Sequence, residues 1–233
     1  MKKILAFTLA ETLVVIGIIG IVSALTLPNL NSSTGDKEKV AKLKKIYRDL
    51  DQAYGMAKTK YGPIQTWFTN DITNAARTTR FGQRLTEFMK VSKNCGIGSG
   101  CWSTAPLLES NGSKWEDNAY QEISDHYFVI LADGTALAMD LWYYDNAFSS
   151  GRIRVDIDGP KKGQTRIGSD IFNFTIGFDD TNNLSPSAGN YAENGKFDTS
   201  TSENYAKWVI EFENLDYLKC ADKLNWQTQI TCK

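Results

Sequence analysis

Residues 6–27 read AFTLAETLVVIGIIGIVSALTL, and Pro28 follows. From Thr12 to Leu27 nothing is charged, and counting back to Ile4 gives the roughly 20 apolar residues a membrane-spanning helix needs, if Glu11 is tolerated. Glu11 separates three readings of the segment. A secretory signal would use the basic MKK start and a cut after Val22-Ser23-Ala24, leaving a chain that begins at Leu25. Ordinary signals avoid a carboxylate in the apolar region, where it costs about 2.5–3.5 kcal/mol at a helix centre on insertion scales. A plain anchor has length enough but leaves Glu11 without a role. The third reading gives it a partner: a cut between Ala6 and Phe7 creates an α-amino group one helical turn from Glu11. Amine and carboxylate can then pair within one chain or between packed chains. In a low-dielectric layer such pairing is sensitive to distance and sets the axial register of stacked helices.

The segment KKILAFTLAETLVVIGIIGIVSALTLPNL, residues 2–30, resembles the amino terminus of type IV pilins and type II secretion pseudopilins. The shared features are a short basic leader, a cut before phenylalanine, glutamate at the fifth position after it and a long apolar helix. The family usually has glycine before the cut, where this chain has Ala6. The resemblance implies that a prepilin peptidase removes residues 1–6 and methylates the amine of Phe7, and that Glu11 serves assembly. It also implies that Pro28 bends the helix, that residues 7–28 form the membrane and filament-core helix, and that an ATPase-driven platform assembles the subunits. The expected function is a structural, non-enzymatic subunit whose partners are other pilin-like subunits and membrane lipid. Such a subunit waits in the bacterial inner membrane, amino terminus in the cytoplasm and globular domain outside, before joining a periplasmic or extracellular filament. Two alternatives stay open: a minor pilin with a DNA- or glycan-binding surface, and a secreted or anchored enzyme or lectin with an ordinary signal. The charges flanking the span disagree about orientation. Lys2 and Lys3 place the amino terminus inside, whereas Lys37, Lys39, Lys42, Lys44 and Lys45 oppose that. The paired cysteines and the family resemblance favour an external carboxy-terminal domain.

Beyond Pro28 the polar NLNSSTGD is expected to interrupt the helix. Helical spacing then resumes over residues 29–62. Val40, Leu43, Ile46, Tyr47, Leu50, Tyr54, Ala57 and Tyr61 make a stripe ending at Gly62-Pro63. That stripe is expected to pack on a sheet, with the lysines opposite it facing solvent, anionic lipid or a neighbouring subunit. A second helix is read from Phe81, Leu85, Phe88 and Met89, starting near Thr78 or Thr79. HYFVILADGTALAMDLW predicts a hairpin at Asp133-Gly134; RIRVDID, IFNFTI and KWVIEFE are further strands, and residues 179–204 a long polar loop. The predicted class is therefore α+β: a long amino-terminal helix, its second half amphipathic, on an antiparallel sheet of about four strands, with residues 63–233 as the globular domain. The ladle shape of pilins fits that order.

A net charge of −1, from 26 basic and 27 acidic residues, gives no nucleic-acid signal. A single histidine, His126, disfavours histidine triads and multi-histidine metal sites. Neither cysteine pair has zinc-knuckle spacing, so two local bridges are expected, Cys95 with Cys101 and Cys220 with Cys232, although four cysteines allow three connectivities. Bridges place the domain in an oxidising compartment. Asp156, Asp158 and Asp170 in DIDGPKKGQTRIGSDIF are candidate calcium ligands, against the reading of Asp-Gly and Gly-Pro as plain turns. No other cofactor and no catalytic residue is expected, since nucleophile elbow, phosphate loop and metalloprotease patterns are missing, GIGSG included. Trp102, Trp115, Trp142 and Trp226 are candidates for a sugar- or base-stacking surface, with core packing the expected use of most of them. Gly17 and Gly20 either let neighbouring helices approach or soften their own.

Overall fold

The computed structural model describes residues 9–68, 73–114, 125–144, 147–161, 165–177, 183–186, 195–199, 202 and 204–233. The side chains of 23–33 and 143–149 lie outside the description, as do the expected leader, Ala6, Phe7 and Trp115. The chain divides into two units, Met1–Glu38 and Lys39–Lys233.

The fold is α+β, with one six-stranded antiparallel sheet and several helices. Helix α1 is Leu9–Tyr61 and α2 is Asn74–Thr86, followed by β1 (Val91–Gly96), β2 (Tyr127–Leu131), β3 (Ala136–Tyr144), β4 (Ala147–Asp156), β5 (Ile171–Ile176) and β6 (Leu184–Ser185). Helices α3 (Asn204–Phe212) and α4 (Tyr217–Cys220) follow the sheet. The strands lie in chain order, each antiparallel to the next.

The first part of the amphipathic stripe needs little correction. Val40, Leu43, Ile46, Leu50, Tyr54 and Ala57 are buried, joined by Ala53, while Tyr47 and Tyr61 pack at the edge. They meet the sheet face built from alternate residues: Val129 and Leu131, Leu137 and Met139, Ile153 and Val155, Phe172 and Phe174. Tyr47 stacks on Phe174 with ring centroids 5.4 Å apart. Each fully buried aliphatic side chain contributes about 1.5–3 kcal/mol. The hairpin at Asp133-Gly134 forms as read, with Gly134 at φ +88° in the turn that joins β2 to β3.

Four expectations are corrected. NLNSSTGD does not interrupt α1, which runs through Pro28 and Asn29–Asp36 without a break. Serine, threonine and asparagine each cost only tenths of a kcal/mol in a helix, and continuing one is cheaper than nucleating a second. The segment KWVIEFE is not a strand but most of α3. Tyr205, Ala206, Trp208 and Val209 are buried, a spacing of three and four that outweighs the β-rich composition. Helix α2 starts at Asn74, earlier than read, because Thr73 caps it by accepting the Ala76 N–H at 3.2 Å. The polar loop over 179–204 includes β6 and a buried aromatic, Phe197.

Two disulfides close as expected, Cys95–Cys101 and Cys220–Cys232. Each shuts a short loop, worth about 2–3 kcal/mol on the chain-entropy account. Cys101 packs with Phe128 and Ala138 on the sheet face away from α1. The second bridge pins the last residues of the chain beside α4, where the Cys232 N–H donates to Asp216 at 2.8 Å.

Candidate assembly surface

Within the amino-terminal unit, the described side chains of α1 are those of residues 9–22 and 34–38, and the first of these stretches is apolar. Leu9, Leu13, Val14, Val15, Ile16, Ile18, Ile19, Ile21 and Val22 are all at least half exposed, Ile16 by 67%. These positions cover every side of a helix, and a helix apolar all round is one that another phase or other helices must cover. Among the described residues of this unit none covers it. Gly17 and Gly20 sit in open space, where an added Cβ would meet no atom within 4 Å, so internal packing gives no reason for glycine there. Among the described residues no helix is long and apolar enough to cross a membrane; the first described stretch of side chains ends at Val22, while the apolar sequence runs on to Leu27.

Glu11 lies in the first turn of α1, and it is exposed. A carboxylate there is favoured by the partial positive charge of the unpaired N–H groups at the helix start. Pro28 is inside α1.

Three of the lysines after the apolar segment make specific contacts within the globular unit. Lys39 bonds Asp170 and Ser169, Lys44 pairs with Glu213, and Lys45 bridges Asp49 and Asp133. Lys60 meets Glu87, and Lys58 reaches Asn183. The ammonium of Lys45 is held above its ordinary pKa, first by its hydrogen bond to Asp49 and then by that to Asp133. Exposed pairs of this kind contribute little to stability, because water screens them. What they add is position: the helix is fixed against separate loops.

The acidic turn is brought together only partly. Asp156, at the end of β4, is 2% exposed, and its Oδ1 accepts the N–H groups of Asp158 (3.1 Å) and Gly159 (2.9 Å). Asp170 takes its cation from Lys39 at 2.6 Å. Among the described residues no three acidic, histidine or cysteine side chains are grouped to hold a metal ion. Burial pushes the Asp156 carboxyl up to about 6, with smaller repulsion from Asp158 and Asp170, against the pull of the two N–H groups. Its folded-state pKa lies above the ordinary 3.8, so the fold favours the proton. Holding the group ionised above pH 6 costs stability, and that cost disappears as pH falls toward 3.8. Asp156→Asn keeps an acceptor for both N–H groups. It is expected to raise the unfolding free energy by about 1–2 kcal/mol at about pH 7.5 and by nothing at about pH 3.5. Urea titrations at the two pH values check this; equal stability at both would sink it.

His126 lies in a buried cluster of charged groups. Its Nε2 lies 2.6 Å from Arg154 Nη1 and 3.5 Å from Asp140 Oδ1, and Arg152 donates twice to Asp140. Burial lowers its pKa to about 3, so the ring is neutral and Nε2 accepts from Arg154. The cluster sits on the sheet face opposite α1, where Asp140 faces Arg152 across β3 and β4. The sequence carried its signal in the alternation of MDLW and RIRVD, although not the position of His126 beside it.

The tryptophans divide. Trp226 lies in an aromatic group with Trp208 and Phe197, and Trp102 packs near Phe128. Trp142 is 37% exposed, with the Arg152 guanidinium 4.2 Å from its ring centroid.

No protein family, no curated protein and no solved structure matches this chain.

Proposed function

We propose that this chain is a structural subunit of a type IV pilus or type II secretion filament, carried in the membrane and assembled through the amino-terminal part of α1. The observation that carries the reading is a helix segment, residues 9–22, apolar on all sides and exposed among the described residues, with a carboxylate, Glu11, in its first turn. A lipid bilayer covers such a surface before assembly, and helices of neighbouring subunits cover it afterwards. The open space at Gly17 and Gly20 suits close approach of those helices. In the globular unit, the stripe of α1 on the sheet and the two disulfides agree with an extracytoplasmic, pilin-like body.

In this mechanism, removal of residues 1–6 leaves a methylated amine on Phe7. An incoming subunit offers that amine to a Glu11 carboxylate, and the pair fixes the axial register while apolar contact supplies the affinity. Burial of an unpaired carboxylate in the filament core is costly, so subunits out of register are rejected.

Mass spectrometry of the native protein tests the first step. The expected chain begins at methylated Phe7, and a chain beginning at Leu25 would overturn the reading. For the second step, Glu11→Ala is expected to leave the melting temperature and the processing unchanged while incorporation into filaments falls at least about tenfold, the scale of one buried charge pair lost. Incorporation at the normal level would falsify the pairing role.

A further inference from the structure

Helix α1 enters the globular unit at Lys39, one residue before Val40. Among its described residues, Val40 is the first buried apolar side chain. At that point the hold on the helix is polar. The Lys39 ammonium donates to Asp170 Oδ1 at 2.6 Å and to Ser169 Oγ at 2.8 Å, and the Ser169 hydroxyl donates to Asp170 Oδ1 at 3.3 Å. Both acceptors lie in the turn before β5. The lysine side chain is 28% exposed and that of Asp170 only 7%, so the acid is sheltered and the cation comes to it from the edge. The charged groups around Asp170 are Lys39 from α1, and Asp158 and Asp156 from the turn after β4 and the end of that strand.

We propose that Lys39, Asp170 and Ser169 form a latch on the first turn of α1 within the globular unit, and that this turn opens by itself when the latch is released. A single ammonium makes both bonds, so they break in one event. From the next turn onward the helix is held by other means: Leu43, Ile46 and Leu50 are completely buried, and Lys44 and Lys45 are tied to Glu213 and Asp133. Opening therefore stops short of the core, as expected of a low-stability end of a structure whose interior opens only with global unfolding. Removal of the Asp170 charge takes away the acceptor that Lys39 holds, and so releases the latch.

The latch does not rest on the filament reading, and its test needs no filament. Hydrogen exchange is measured on the full chain in detergent micelles near neutral pH for the unaltered protein, Asp170→Asn, Lys39→Gln, the double variant and Lys44→Gln. The amides of residues 39–43 are expected to exchange about tenfold faster in both single latch variants, while the amides of β2 to β5 keep their protection. The double variant should be no faster than either single one, since both remove the same contact. Lys44→Gln should leave residues 39–43 as they were. Unchanged exchange at 39–43 in Asp170→Asn and Lys39→Gln would overturn the latch. So would acceleration spread through the sheet, which would make the pair part of the general framework.

Discussion

A chain beginning at Lys39 is expected to be monomeric and to melt within a few degrees of the full-length protein, while the full-length protein associates or requires detergent. Among the described residues the buried core cluster lies at or after Val40. A chain beginning at Lys39 therefore keeps that cluster whole. What it loses includes, among the described residues, nine large apolar side chains, each at least half exposed. Covering them in lipid or in neighbouring helices is worth roughly 10 kcal/mol or more at 1.5–3 kcal/mol for each full burial. That term dwarfs any surface ion pair and is ample for stable association. Light scattering of the two chains, with and without detergent, measures the first half of the expectation, and calorimetry the second. If the shortened chain associated as the long one does, the assembly surface would lie in the globular unit and the role given to α1 would fail.

The other large effect lies at the far end of the chain. Trp208→Ala is expected to destabilise the globular unit by about 3–5 kcal/mol, lowering its melting temperature by about 8–15 °C. Trp208 is completely buried, with Phe212, Trp226 and Phe197 at 4.6, 4.9 and 5.0 Å between ring centroids. Its indole N–H donates to Asn214 Oδ1 at 2.9 Å. The same Asn214 donates to the carbonyl of Ile230, inside the loop closed by Cys220–Cys232. Truncation thus opens a cavity and loosens a residue that braces the carboxy-terminal loop. Trp142→Ala is the comparison, since Trp142 is 37% exposed and its loss should cost about 1 kcal/mol. A loss below about 1 kcal/mol at Trp208 would mean that the aromatic group repacks and does not hold α3 in place.

Much of this was legible in the sequence, for local reasons. The α1 stripe, the Asp133-Gly134 turn and IFNFTI each carry their period within a few residues, and both cysteine pairs are close enough to bridge without help from the fold. The failures share the opposite property. KWVIEFE became a helix because Trp208 and Val209 find Phe197 and the neighbouring aromatics, partners that no local window contains. Strand β1 is mostly exposed and bulged, so VSKNCG carries no alternation; it is a strand only because β2 pairs with it. At the site the same division holds. Glu11 was conspicuous because its neighbours are apolar. Lys39 was one lysine among several until the fold set Asp170 beside it, 131 residues away.

The order of the strands bears on how the molecule is made. Since β1 to β6 lie in the sheet as they lie in the chain, each strand finds its partner as soon as it is delivered, and the ladder can grow in the direction of synthesis. Helix α1 has no such convenience. It comes first, yet Tyr47 must wait for Phe174 before its stripe is covered. For most of its delivery the nascent chain therefore carries two uncovered apolar surfaces, the stripe destined for its own sheet and the exposed segment over residues 9–22. The period of greatest aggregation risk ends only when β5 arrives.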